Sequence, residues 1–301
     1  MFEHSCIDPK FTILLPVHRL PHFLPYAVES VLRQSEIAFE LFIICDGAPR
    51  ETVEYARASG ERDSRIRAFV FSKGEHHGEA HRHSALQYAR GRFVAHIADD
   101  DLWFGDHLAE LATLLESVDF GHLLQVAPRR NGGLYVFPAD ISDPGTRSGL
   151  RSHFTLGIGG PTVVGYRLEA YRRLPEGWVP PPRDTPGDLH LWRKFMALDG
   201  LRFGSRIAIT SIHLDNAVRR GMSAKDRVDE MANWSQRIAQ PDEVDRVRQD
   251  ALLTMARKAH AFHLLRGIRL YTFFRTIARP RGTVGRFLWL FAAVTSRFRG
   301  P

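Results

Sequence analysis

Apolar and polar positions alternate along the first 120 residues in two periods that trade places. Short apolar-rich runs at 11–15 (FTILL), 41–45 (LFIIC), 66–71 (IRAFVF) and 93–97 (FVAHI) have the length and composition of buried strands. The first is closed by Pro16 and the second by the turn pair Asp46-Gly47. Between them Phe23, Ala27, Val28, Val31 and Leu32 recur at helical spacing, as do positions within 49–59 and 79–89. Leu108, Leu111, Ala112 and Leu115 mark a further helix. Continuous apolar strands separated by helices predict an α/β fold with a mainly parallel sheet covered on both faces. Ligands of such sheets bind beyond the carboxyl ends of the strands, where Asp46 and Asp99–Asp101 fall.

From residue 121 the pattern loosens. Strands are expected at 123–127 and 134–137 around the hairpin turn Asn131-Gly132-Gly133, a turn at Asp143-Pro144-Gly145 and a loop at 157–161. A short helix is expected at 167–174, and a longer one opens at Gly187-Asp188 with Leu191, Trp192, Phe195 and Met196 on its apolar face. A strand at 206–212 precedes His213, and Pro241-Asp242-Glu243 starts a last helix.

Composition narrows the class. The chain of 301 residues is long enough for one large domain or a domain with an appendage. Its formal charge of +7 is unevenly spread, because no acidic residue follows Asp250 while ten Lys and Arg do. Two cysteines give neither a disulfide framework nor a zinc site. No apolar run reaches the roughly 18 residues of a membrane span, and the N-terminus is not a signal peptide, so a cytoplasmic location is expected.

The chemistry concentrates at Asp99-Asp100-Asp101, three carboxylates at a strand end. Like charges so placed need a compensating cation, and hard oxygen ligands suit Mg²⁺ or Mn²⁺ shared with a phosphate-bearing substrate. Asp100 or Asp101 can equally cap the helix starting near Phe104.

The stretches FTILLPVHR, FELFIICDG, GEAHRHSALQYARG and IADDDLW, followed by GDLHLWR at 187–193, resemble in order and spacing the family 2 glycosyltransferases, especially spore-coat polysaccharide-type members. The resemblance covers residues 10–220. It implies the GT-A fold, a Rossmann-like, mainly parallel sheet flanked by helices, and inverting transfer of a sugar from a nucleotide-diphosphate donor to a hydroxyl. The nucleotide half would span 10–120 and the acceptor half 121–220 of a domain at 1–220, with a basic helical extension at 221–301. It assigns Pro16, His18 and Asp46 to the base and ribose, and Arg82, Asp99 and Asp100 to the donor. Asp99, Asp100, Asp101 and His213 would hold Mn²⁺ or Mg²⁺, and Asp188 would be the general base. The donor would be a UDP-sugar, with GDP- or dTDP-sugars as alternatives, and the acceptor a glycan or glycolipid of the cell surface. The family's usual Tyr-Asn is here His18-Arg19, Cys45 stands where many members have Asp, Ala48 replaces a common Ser, and Gly187 stands where many have Glu. A scaffold that binds nucleotide-sugar without turnover is the alternative.

The tail from about residue 241 onward lies outside the resemblance. Arg286, the apolar-aromatic cluster at 287–291 and Arg297 fit an amphipathic basic helix at an anionic membrane, at the cytoplasmic face, or a homodimer contact. No nucleic-acid reader motif accompanies the basic charge.

Overall fold

The computed structural model describes residues 8–152, 158–214 and 216–277. Strands β1 (Phe11–Val17), β2 (Phe39–Asp46), β3 (Ile66–Phe71) and β4 (Phe93–His96) alternate with helices α1 (Leu24–Leu32), α2 (Arg50–Arg62) and α3 (Glu79–Leu86). Then come β5 (Asp101–Trp103), α4 (His107–Leu115), β6 (Phe120–Pro128), β7 (Leu134–Val136) and α5 (Pro144–Ser152). After these stand β8 (Val164–Arg167), α6 (Leu168–Arg172), α7 (Gly187–Ala197), β9 (Phe203–His213), α8 (Ala224–Ile238) and α9 (Pro241–Ile277).

Among the described residues the strands form one sheet in the order β3-β2-β1-β4-β8-β6-β9-β5, with β7 pairing β6 beside that path. The expected parallel core is present: β1 pairs in parallel with both β2 and β4, and β2 with β3. Strands β1 and β2 are buried on both faces, which is why they read as continuous apolar runs. Register brings their ends together. Val17 lies opposite Cys45 and Leu14 opposite His96, so β1, β2 and β4 all finish at one edge of the sheet. Their opposite ends are tied by a buried network, in which Glu40 accepts hydrogen bonds from Thr12 Oγ1 (2.7 Å) and from the backbone N–H of Arg90 (2.7 Å) and Gly91 (3.3 Å).

Several elements are new. Asp101 does not belong to a turn or cap but opens β5, antiparallel to β9, directly opposite His213. The expected turn at Asp143-Pro144-Gly145 instead starts helix α5, where Asp143 Oδ2 accepts from Thr146 N (2.6 Å) and proline takes the first helical position. Strand β8 runs antiparallel to both β4 and β6, inserting mixed pairing into the sheet centre. The core over this half is aromatic: Phe120, Tyr166, Trp192 and Phe195 are fully buried and in mutual ring contact.

The chain divides into two compact units, residues 1–251 and 252–301. The first therefore extends past the expected boundary at 220. Met231, Trp234 and Ile238 of α8 and Val244, Val247 and Ala251 of α9 are buried, and Arg33 donates to Ser235 Oγ (2.9 Å). Ser223 caps α8 by accepting from Asp226 N (3.1 Å). No helix among the described residues is long and apolar enough to cross a membrane. The apolar-aromatic cluster at 287–291 lies outside the described residues.

Candidate active site

At the edge where β1, β2 and β4 end, the residues that come after them wall a cavity of about 400 Å³. Pro16, His18 and Arg19 come from the end of β1, Asp46 from β2, and Asp99 and Asp100 from the loop after β4. Helix α3 adds Glu79 and Arg82, and α7 adds Asp188.

Asp46 is buried, yet both its oxygens are occupied. Oδ1 accepts from Gly74 N (2.6 Å), and Oδ2 pairs with Lys73 Nζ (2.6 Å). Burial pushes its carboxyl up, but the lysine and the backbone N–H outweigh it, leaving the group below the ordinary carboxylate range. Gly78 makes this approach possible: its φ of +68° is left-handed, and a β-carbon there would lie 2.6 Å from Asp46 Cγ.

The three consecutive aspartates separate into two environments. Arg19 forks onto Asp99 with two bonds of 2.6 Å and reaches Asp100 at 2.9 Å. Asn216 Nδ2 donates to Asp100 (3.1 Å), and Arg227 of α8 stands 3.8 Å from the same carboxylate. Arg19 and Arg227 both lie over the Phe23 ring, at 5.2 and 5.0 Å. Asp101 is withdrawn from this cavity: its Oδ1 bonds His213 Nδ1 (2.8 Å), and its Oδ2 accepts from the Thr162 hydroxyl. His213 lines a second cavity of about 350 Å³ with Gln125, Tyr135 and Phe137. Gly160, on that wall, precedes Pro161, which lines the first cavity.

Among the described residues no three His, Cys, Asp or Glu side chains converge as a preformed metal cage. A magnesium-like ion does not need one, since it takes one or two carboxylates and completes its shell with substrate phosphate and water. Asp99 and Asp100, buried at the cavity wall and already collecting cationic side chains, fit that limited role. Asp101 and His213, expected as further ligands, are bonded to each other.

Asp188 sits in the first turn of α7, its Oδ1 accepting from Leu189 N (2.8 Å). Burial raises its carboxyl above the ordinary range and the charge of Glu79 adds to this, against Leu189 N–H and Arg82. Arg82 lies 5.0 Å over the Trp178 ring and 3.9 Å from Glu79. His96, at the cavity floor, is held neutral, its value pushed down to about 3 by burial and by Arg82.

The model of the family "Glycosyl transferase family 2" matches residues 12–174, more than half of the chain. The chain belongs to glycosyl transferase family 2. Over 103 residues it is 30% identical to the UDP-Glc:alpha-D-GlcNAc-diphosphoundecaprenol beta-1,3-glucosyltransferase WfgD of Escherichia coli, covering 34% of this chain and 39% of that one. An uncharacterized glycosyltransferase of Rickettsia felis is 30% identical over 113 residues, 38% of this chain and 18% of its own length. The match thus spans well under half of these curated relatives. Among solved structures, S. aureus TarS 1-349 in complex with UDP-GlcNAc superposes with a TM-score of 0.51 at 14% identity, covering 81% of this chain and 72% of that one. That likeness is one of fold, and it is the GT-A fold.

Within this family member, Pro16, His18, Asp46, Arg82, Asp99, Asp100 and Asp188 share one cavity. Asp188 lies beyond the segment matched by the family model. Arg19, Lys73, Glu79, Asn216 and Arg227 were not expected at the site. Only Arg19 carries a signal in the sequence, as a basic residue where the family has Asn.

Proposed function

We propose that the protein transfers a sugar, with inversion, from a nucleotide-diphosphate sugar to a hydroxyl, with Asp188 as general base. The observation that carries the reading is the convergence of Asp46, Arg82, Asp99, Asp100 and Asp188, drawn from separate strands and helices, on one cavity at the carboxyl edge of the sheet. Pro16, His18 and Asp46 receive the base and ribose, and Arg82 faces the diphosphate and sugar. Asp188 takes the proton of the acceptor hydroxyl as its oxygen attacks the anomeric carbon, and the bond to the diphosphate oxygen breaks on the opposite face. A raised carboxyl suits this task, because a stronger base accepts that proton more readily. Asp99 and Asp100 would hold Mg²⁺ or Mn²⁺, which when bound neutralises charge on the leaving diphosphate.

The second cavity supplies an acceptor side. Tyr135 and Phe137 offer apolar ring faces, and the buried Gln125 Oε1 has no partner among the described residues. An aromatic wall with the polar groups Gln125, Arg129 and His213, Arg129 lying 4.9 Å over the Tyr135 ring, is a fit for a saccharide. A lipid-linked cell-surface glycan is the acceptor class we favour, since the E. coli relative is named for a diphosphoundecaprenol-linked sugar. The basic residues after 252 would then rest on the membrane surface.

The test is binding and slow hydrolysis of a panel of UDP-, GDP- and dTDP-sugars by the whole chain, with Mn²⁺, Mg²⁺ or EDTA. One donor that binds, and whose hydrolysis vanishes in Asp188→Asn, is the expected result. Failure of every donor to bind under all three conditions overturns the reading.

A further inference from the structure

Helix α7 begins with a residue that has no side chain, and the space beside it is filled. A β-carbon on Gly187 would lie 2.3 Å from Glu79 Oε1, closer than any real pair of such atoms, and 3.0 Å from Glu79 Cδ. Glu79 is the first residue of α3, and only 1% of its surface is exposed although it forms part of the cavity wall. A buried carboxylate is retained against a desolvation penalty, so the fold has to compensate it. The compensation is thin: Oε2 accepts from His77 N (3.1 Å), and Oε1 stands 3.9 Å from Arg82 Nη1. Proton removal by Asp188 and departure of the diphosphate make no direct use of this group.

The neighbours give Glu79 a role. Arg82, one turn further along α3, is partly buried and feels the charges of Glu79 first and Asp188 next. Two carboxylates, each in the first turn of its helix, thus act on one guanidinium that also meets the Trp178 ring at 5.0 Å. Position 187 is bare, and a carboxylate from another helix stands against it. We propose that Glu79 is a positioning residue that supplies the second carboxylate of the base site from α3, holding Arg82 between itself and Asp188. The proposal rests on the reading of Asp188 as the base.

If Glu79 fills the space of a missing side chain at 187, the two positions are exchangeable. Gly187→Glu alone would drive a second side chain and a second negative charge into the volume of Glu79. Glu79→Ala alone would leave Arg82 without its nearer carboxylate and open a void. The double variant returns one carboxylate to one space. The charge of Glu79 has a consequence of its own. Asp188 is faced by Glu79 and Arg82 of α3 and shares the cavity with the titratable groups Asp46, His77, His96, Asp99 and Asp100. Glu79 is the like charge that opposes ionisation of Asp188, so its removal moves the base to lower pH.

Both are measured on the full chain. Thermal unfolding of Gly187→Glu, Glu79→Ala and the double variant forms a cycle that needs no turnover. The expected result is a lower melting temperature in each single variant, with most of the loss recovered in the double. Additive losses overturn the proposal. The pH profile of donor hydrolysis in Glu79→Gln adds a readout that packing alone would not move. We expect kcat to fall by between about tenfold and a hundredfold, as for a displaced positioning group, with the acid limb at lower pH. An acid limb that stays in place overturns the charge coupling. Undiminished hydrolysis in Asp188→Asn would sink the base assignment instead, while the unfolding cycle still decides whether Glu79 and Gly187 share one space.

Discussion

A carboxylate that works as a base is held in a place that does not favour its charge. Asp188, the proposed base, sits in such a place: burial raises its carboxyl above the value it has in the unfolded chain. Below the ordinary carboxylate value both states are protonated, and the group makes no demand. As pH rises from there through the raised native value, the unfolded chain gives up a proton that the folded one keeps. Stability therefore falls across that window and stays reduced above it. Asp188→Asn removes the penalty. The variant should lose transfer by about 10²- to 10⁴-fold, yet melt at a higher temperature than the parent at neutral pH, the gap closing as the solution is acidified. Calorimetry at two pH values beside a transfer assay checks both parts. The cation proposed at Asp99 and Asp100 has a residue-scale test as well. Arg19→Ala strips the fork from Asp99, at a cost at or below about 3 kcal/mol because Arg19 keeps an exposed flank. The emptied carboxylates should then take up Mn²⁺, so that Mn²⁺ raises the melting temperature of Arg19→Ala more than that of the parent. An equal rise in both proteins would mean that the arginine and the metal do not compete.

At the scale of elements, what could be read from the sequence was what repeats. β1 to β4 and α1 to α4 announce themselves because their apolar positions recur at one period and are buried accordingly. Asp46 and Asp100 could be placed for the same reason, since a strand end fixes where the next residue points. Strand β5 holds three residues, too few for a period, and exists because β9 comes back from more than a hundred positions away to pair with it. Helix α5 buries only Leu150, so its start is written in the Asp143 cap and not in any apolar stripe. Lys73 and Glu79 escaped attention because a lone charge in a loop or first turn looks solvated until the partner across the cavity is known. Helix α8 is the most consequential miss. It packs Met231, Trp234 and Ile238 into the first unit and carries Arg227 to within 3.8 Å of Asp100. Trp234→Ala should cost about 3–5 kcal/mol and weaken donor binding together with stability, whereas a merely appended helix would leave binding untouched. Denaturant unfolding and donor titration of the same variant separate the two.

For the whole molecule, charge and compactness divide the chain at the same place. Residues 252–301 hold ten cations and no carboxylate; with a total of +7, residues 1–251 carry −3. An acidic body has no electrostatic reason to approach an anionic membrane, and a segment of +10 has a strong one, near 1 kcal/mol per cation close to the surface. The cavity, the buried α8 and the first turns of α9 all belong to the body. Removal of residues 252–301 should therefore leave the melting temperature and donor binding of the body close to those of the full chain. It should abolish co-sedimentation with vesicles containing phosphatidylglycerol, which the full chain should show and lose as salt is raised from about 0.1 to 1 M, where the screening length shrinks from about 10 to 3 Å. A truncated body that still binds vesicles would place membrane contact elsewhere. A full chain that ignores vesicles but sediments as a dimer, and reverts to a monomer on truncation, would assign the basic segment to a second copy of itself.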